Sequence, residues 1–411
     1  MTPAHPSMLG RLAGRIVTRA LAQAPDGLPL LAACCRWPRS PQRVEAIKAG
    51  AAALADWPQW LLLVRAHRVW GLAASGIADG AIVPPQAIAG RLQARTARAT
   101  RSNLELARTS VQLYGLLQQA GLPVVVLKGV ALSVLAYRHL SVKNSVDIDL
   151  YVPPGEVARA RDVLEGAGYG LAHAPGGLNA QQLARLVRCT RELGFRSGPG
   201  QPLIELHWQL GYNRALLRGI CAQSALQPVV VGGAMLQTLG GDTLFVYLCV
   251  HGAQHRWARL KWLADLAALL ASQNGNDIEQ LYRAAQRAGA GRCAGQALLL
   301  CHRLLGLPLP KPLLAQLAAS GMVLVLEALA LQAIMACGTT QQPARGVLGN
   351  LRTGLYLLLL GSGRDFYLRE LGRYLVSPAD VMVMPLPRGL GWLYPMLRMP
   401  VWLWRRRTWR G

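Results

Sequence analysis

From residue 9 to about residue 106 the chain is a series of Ala- and Leu-rich stretches carrying Arg, punctuated by Pro and Gly and almost free of β-branched clusters. Apolar positions recur at helical spacing over residues 44–54, 60–74 and 85–117, which predicts an N-terminal helical region. Its last helix is long and stops near Gln119-Ala120-Gly121, where a glycine suits a helix end. The texture then changes. Val124-Val125-Val126-Leu127 reads as a short buried strand, with Gly129 permitting a tight turn behind it. Residues 130–137 read as helix, 147–152 as a second strand stopped by Pro153-Pro154-Gly155, and 156–167 as helix again. Short strand candidates around Phe195 and at 203–206 flank Gly198-Pro199-Gly200, a hairpin pattern. Beyond Leu239 the periodicity is helical: 243–270 with a break near Trp257, then 278–288, 293–305, 311–319, 322–337 and 347–360. The order predicts an α+β fold, a small mixed sheet flanked by helical regions. The expected boundaries are 1–105, 106–238 and 239–411.

Composition narrows this picture little. A chain of 411 residues suggests two or three domains. A hydrophobic share of 52% excludes wholesale disorder. The formal charge of +24 arises from 44 Lys and Arg against 20 acids, spread along the chain. That favours polyanions such as nucleotides, RNA or anionic lipid without choosing among them. The eight cysteines form no C-x-x-C pair, which argues against a zinc site or a small disulfide framework and for a cytoplasmic protein. Residues 1–24 lack the sustained apolar run of a secretory signal. Residues 322–337 are apolar but short and carry Glu327, so a buried helix is expected rather than a membrane span. The tail, residues 389–411, mixes Trp with Arg405-Arg406-Arg407. It suits weak contact with a membrane surface, peripheral to the inner membrane, or an acidic partner, and equally packing onto the domain.

The chemistry concentrates in Asp147-Ile148-Asp149. Aspartate is depleted in strands, and residues two apart on a strand share a face. Two carboxylates facing one point repel unless a cation joins them, and Mg²⁺ (or Mn²⁺) commonly takes one or two carboxylates plus substrate phosphates. Glu205, within Leu203-Ile204-Glu205-Leu206-His207-Trp208, repeats the anomaly on the strand expected beside Asp147 and Asp149. Three acids on adjacent strands suffice for a pair of cations about 3.5–4 Å apart that clamps a phosphoryl displacement. Lys128 and Gly129 end the first strand ahead of a helix, where phosphate is favoured. Lys143 either faces phosphate or sits in a solvated loop. His207 shares the face of Glu205. His251 and His255, four apart on a helix, are expected to pack or line the cleft. With Asp265 they supply no third placed metal ligand, and H-G-A-Q-H is not the zinc-protease motif. Arg256, Arg259 and Lys261 either approach an anionic substrate or face solvent.

Taken together, Leu127-Lys128-Gly129-Val130-Ala131-Leu132, Tyr137, Lys143, Asp147-Ile148-Asp149-Leu150-Tyr151-Val152 and Ile204-Glu205-Leu206-His207-Trp208 resemble the uncharacterised bacterial nucleotidyltransferase family of the DNA polymerase β-like superfamily. His251-Gly252-Ala253-Gln254-His255-Arg256-Trp257 and Leu260-Lys261-Trp262-Leu263-Ala264-Asp265 are similar to it as well, so the resemblance covers roughly residues 60–310. It implies a nucleotidyltransferase core, with Asp147, Asp149 and Glu205 as catalytic, metal-binding acids. It also implies a divalent cation, and an NTP, ATP being the expected one, held through Lys128, Gly129 and Lys143. The acceptor is an undefined peptide, sugar or small molecule, in keeping with a step in natural-product (lasso-type peptide) or polysaccharide biosynthesis. Two departures stand out. Lys128-Gly129-Val130 replaces the superfamily's Gly-Ser, and Lys143 stands where the family commonly has Arg. Both bear on how triphosphate is held. Two other outcomes remain on the same fold: a kinase, if the metals address the γ-phosphate, and a non-catalytic scaffold for a peptide or pathway partner. RNA binding is a third expectation, drawn from the charge.

Overall fold

The apolar runs that interrupt the helical texture assemble into one mixed sheet of seven strands in the order β3-β4-β5-β2-β1-β7-β6. These are β1 (Val125–Val126), β2 (Asp147–Tyr151), β3 (Gly170–Leu171), β4 (Glu192–Arg196), β5 (Leu203–His207), β6 (Leu226–Val231) and β7 (Ala234–Leu239). The computed structural model describes residues 8–172, 177–223, 225–338, 347–375, 393 and 396–397, so the basic aromatic tail lies almost wholly outside the described residues. Strand β2 runs parallel to β5 and antiparallel to β1, and β1 runs parallel to β7. The expected hairpin is β4–β5, paired antiparallel from Glu192↔His207 to Phe195↔Ile204.

Alternation along the strands separates two cores. Val126, Ile148, Leu150, Ile204 and Leu206 pack with Leu106, Leu113 and Leu117 of the helix Gln86–Gln119 and with Val157, Ala160 and Leu164 of the helix Val157–Gly166. Val125, Leu127 and Tyr151 instead join a second, larger cluster. That cluster gathers the N-terminal helices, the helix Val130–Tyr137, and the C-terminal helices Gly241–Gln254, Leu260–Leu270 and Gly291–Leu305. The odd-numbered acids of β2 therefore belong to the sheet face that the C-terminal helices cover.

Two expected helices are each broken in two. Residues 60–74 are not continuous: Trp57–His67 ends at Arg68, and a new helix runs Trp70–Asp79. Arg68 takes a left-handed conformation (φ 57°, ψ 50°), and Val69 N–H reaches back to Val64 O at 3.2 Å, a helix-stop pattern formed without the usual glycine. Tertiary packing sets the new axis, because Gly71 lies against Ser141 and Val142, where an added Cβ would come within 2.6 Å of both carbonyl oxygens. Residues 243–270 break near Trp257, as the sequence suggests, between Gly241–Gln254 and Leu260–Leu270, with Arg256 and Trp257 at positive φ. The Trp257 ring occupies the space that a side chain at Gly252 would need.

Among the described residues no single helix is long and apolar enough to cross a membrane; Lys311–Ala319 and Gly321–Met335 pass such a test only as a pair bent by 88°. Glu327 of the second helix is fully buried and paired with Arg303 at 2.7 Å, in keeping with a helix of the core.

Candidate functional site

The parallel register of β2 and β5 sets Asp149 directly beside Glu205 and Tyr151 beside His207. Side chains at matched positions of adjacent strands share a face, so the two carboxylates and the imidazole converge. One ligand atom each from Asp149, Glu205 and His207 lies within 4.8 Å of the others, a group able to hold a metal ion. Asp147, two residues earlier, lines the adjoining cavity and lies outside that group. The expected trio of acids is thus divided: Asp149 and Glu205 meet, His207 joins them, and Asp147 stands at the cavity wall.

The charges inside the cluster are already matched. Lys128 Nζ donates to Asp149 Oδ1 at 2.6 Å, and His207 Nε2 sits 3.1 Å from the same oxygen. His207 Nε2 also lies 3.6 Å from Glu205, and its Nδ1 3.1 Å from Glu192 Oε2. Burial alone favours neutral imidazole, yet hydrogen bonding to Asp149, Glu192 and Glu205 overrides it and lifts His207 to about 10. Burial likewise works against the Asp149 carboxylate, but Lys128 and His207 outweigh it and hold the carboxyl well below its usual range. Burial opposes the Lys128 charge, but Asp149 and Asp147 of β2 outweigh it and hold the ammonium above its ordinary value.

Asp149 Oδ2 is buried and has no hydrogen-bond partner among the described residues. Buried polar atoms are normally paired, and an unpaired carboxylate oxygen is costly. An orphaned oxygen beside a second carboxylate suits a divalent cation such as Mg²⁺ or Mn²⁺, so the carboxylates present fit the expected metal, and the imidazole adds a donor only after losing its proton.

Other residues furnish the walls of a cavity of 310 Å³. Gly129 takes φ 63° at the turn from β1 into Val130–Tyr137, a conformation that favours glycine. That turn brings Lys128 to Asp149 on the cavity wall. Lys143 also lines the cavity and is paired, its Nζ lying 2.9 Å from Asp265 Oδ2, while Tyr137 Oη donates to Asp265 Oδ1 at 2.9 Å. The loop carrying Lys143 is fastened by Asn103 of the long helix, which donates to the Leu140 and Lys143 carbonyls and accepts from Ser145 N–H. His251 and His255 line the cavity, with His255 stacked on Trp262 at 4.9 Å; neither belongs to the metal-capable group found among the described residues. Arg259 and Lys261 line it too, whereas Arg256 does not.

Sequence reasoning passed over Arg68, Asn103, Arg191 and Glu192. Arg191 and Glu192 form a pair at 2.9 Å on the cavity wall. A signal existed for that pair: adjacent charged residues open the strand hairpin-paired with Glu205.

A family model described as an uncharacterised nucleotidyltransferase matches residues 53–306. No curated protein and no solved structure matches the chain.

Proposed function

The chain belongs to that family of uncharacterised nucleotidyltransferases, and on this premise we propose that it moves a nucleotidyl group from an NTP, ATP with Mg²⁺, to an acceptor hydroxyl or phosphate. The observation that carries the proposal is the β2–β5 register, which sets Asp149 beside Glu205 and leaves Asp149 Oδ2 unpaired. Asp149 and Glu205 would hold the cation, with His207 joining them once it gives up its proton and Asp147 at the adjoining wall as a ligand toward the substrate. When bound, the cation neutralises charge on the phosphate oxygens and on the group that leaves. The remainder is positioning and electrostatics. The acceptor oxygen forms a bond to the α-phosphorus and gives its proton to the Glu205 carboxylate. The bond from the α-phosphorus to its β-bridging oxygen breaks, and pyrophosphate departs with that electron pair.

The test is incubation with ATP labelled at the α- or the γ-phosphate, with candidate peptides, sugars and alcohols as acceptors. Label arriving from the α position supports the proposal, and label arriving only from the γ position makes the protein a kinase. A second reading, a non-catalytic scaffold, draws on the ion pairs by which Lys128 and His207 already satisfy Asp149 Oδ1. Unchanged cellular function after Asp149→Asn would favour that reading.

A further inference from the structure

The cavity holds more positive charge than its acids neutralise. Three of its cations have carboxylate partners: Lys128 with Asp149, Lys143 with Asp265 and Arg191 with Glu192. Three more, Arg68, Arg259 and Lys261, line the same cavity, and their side chains make no ion pair or hydrogen bond among the described residues. We propose that Arg68, Arg259 and Lys261 form a polyphosphate subsite, the place where the β- and γ-phosphates of the nucleotide bind and from which pyrophosphate leaves. This assignment rests on the nucleotidyl-transfer reading for the identity of the ligand. It moves the triphosphate away from the Lys128–Gly129 turn, whose lysine is committed to Asp149.

The architecture brings these cations together at a cost. Arg68 caps the helix Trp57–His67 in a left-handed conformation, and Arg259 immediately precedes the helix Leu260–Leu270. The two helix ends are joined by the Leu260 N–H, which donates to His67 Nδ1 at 3.2 Å across 193 residues of sequence. Burial keeps His67 neutral, pushing it down to about 4, so its ring nitrogen is free to accept. The clasp sets Arg68 and Arg259 in one another's field, and after burial it is Arg259 that most lowers Arg68.

Lys261 lies in the first turn of Leu260–Leu270, a turn without any acidic residue. The positive end of the helix dipole disfavours a cation there and favours an anion. Burial and the neighbouring Lys143 push Lys261 down to about 7. The Trp262 ring is within cation–π distance of both residues, 5.8 Å from Arg259 and 5.5 Å from Lys261, so the two cations share one aromatic rest. Like charges gathered on a helix N-terminus repel until an anion joins them. A polyphosphate satisfies all of them at once, and guanidinium forks match its oxygens.

The experiment is calorimetric titration of the full chain with inorganic pyrophosphate in EDTA, where the metal site contributes nothing. Wild type, Arg259→Gln and Lys261→Met are compared, with Arg65→Gln, an exposed arginine of the neighbouring helix, as the charge control. Thermal melts verify that each variant is folded. Pyrophosphate binds wild type and Arg65→Gln alike. Each pocket variant binds about tenfold or more weakly, as expected for loss of one charge-assisted contact. Failure of wild type to bind pyrophosphate, or folded pocket variants that bind as tightly as wild type, overturns the subsite. Pyrophosphate binding with this pattern but no α-label transfer would sink the nucleotidyl-transfer reading alone; α-label transfer with no effect of the pocket variants on pyrophosphate would sink the subsite alone.

Discussion

Asp265 is the point at which the C-terminal helices hold the cavity in shape. It is 4% exposed and lies on Leu260–Leu270, accepting from Tyr137 Oη at 2.9 Å and pairing with Lys143 at 2.9 Å. Lys143 is itself only 8% exposed, so Asp265→Asn leaves a buried ammonium without its counter-charge. Removing one partner of a buried pair costs about 3–5 kcal/mol. The amide still accepts from Tyr137, which places the expected loss at the lower end, about 3 kcal/mol. Lys143→Met removes the ammonium at similar volume and leaves Asp265 with its tyrosine. In the double variant the orphaned charge is gone, so the losses should fall short of the sum of the single losses by about 1–3 kcal/mol. Urea unfolding of the four proteins, followed by circular dichroism, gives the cycle directly. Additivity within about 0.5 kcal/mol would refute the pairing as the link between the loop and the helices.

Three further outcomes follow from the same geometry. Asn103→Ala removes the contacts to Leu140, Lys143 and Ser145 and should cost about 2–3 kcal/mol; urea unfolding checks it, and a loss under about 0.5 kcal/mol would contradict the role given to Asn103. Gly71→Ala puts a methyl group against the Ser141 and Val142 carbonyls; overpacking of this kind costs about 1–3 kcal/mol and should raise hydrogen exchange across residues 139–146, so an unchanged exchange pattern there would contradict the close approach. For Lys261, folding lowers the value to about 7 from about 10.4 in the unfolded chain. Between those values the unfolded chain binds the extra proton, so the native state gains stability as pH rises through the window. Lys261→Met should therefore be the more heat-stable protein near pH 7 and lose that advantage toward pH 10, whereas a difference in melting temperature that is constant with pH would contradict the depressed lysine.

The acids were legible because they break a pattern. Asp147 and Asp149 in an apolar strand, and Glu205 in another, are anomalies that the strand period turns into one face. The helix over residues 130–137 is found as expected, because the glycine before it and its apolar run agree. The hairpin β6–β7 was missed although Gly232-Gly233 stands between Val229-Val230-Val231 and Met235-Leu236, a hairpin signal of ordinary strength. Arg68 and Asn103 lay beyond reach for a different reason. Arg68 joins the cavity through a helix break without a Gly or Pro marker and a clasp between His67 and Leu260, and Asn103 reaches a loop about 40 residues away. The departure at Lys128 was visible as a missing Gly-Ser, but its consequence was not. Only the fold shows that the lysine pairs with Asp149 and that Arg68, Arg259 and Lys261 of the flanking helices line the same cavity.

The metal assignment is tested most directly by calorimetric binding of ATP with and without Mg²⁺ to wild type, Asp149→Asn and Asp147→Asn. Asp147 has no ion pair among the described residues, so its variant separates loss of the site from loss of the fold. Metal-dependent binding by wild type, weakened about tenfold or more in both folded variants, is the expected result. ATP binding that ignores Mg²⁺, or that survives both substitutions unchanged, would contradict a metal centre built on the face that β2 and β5 share.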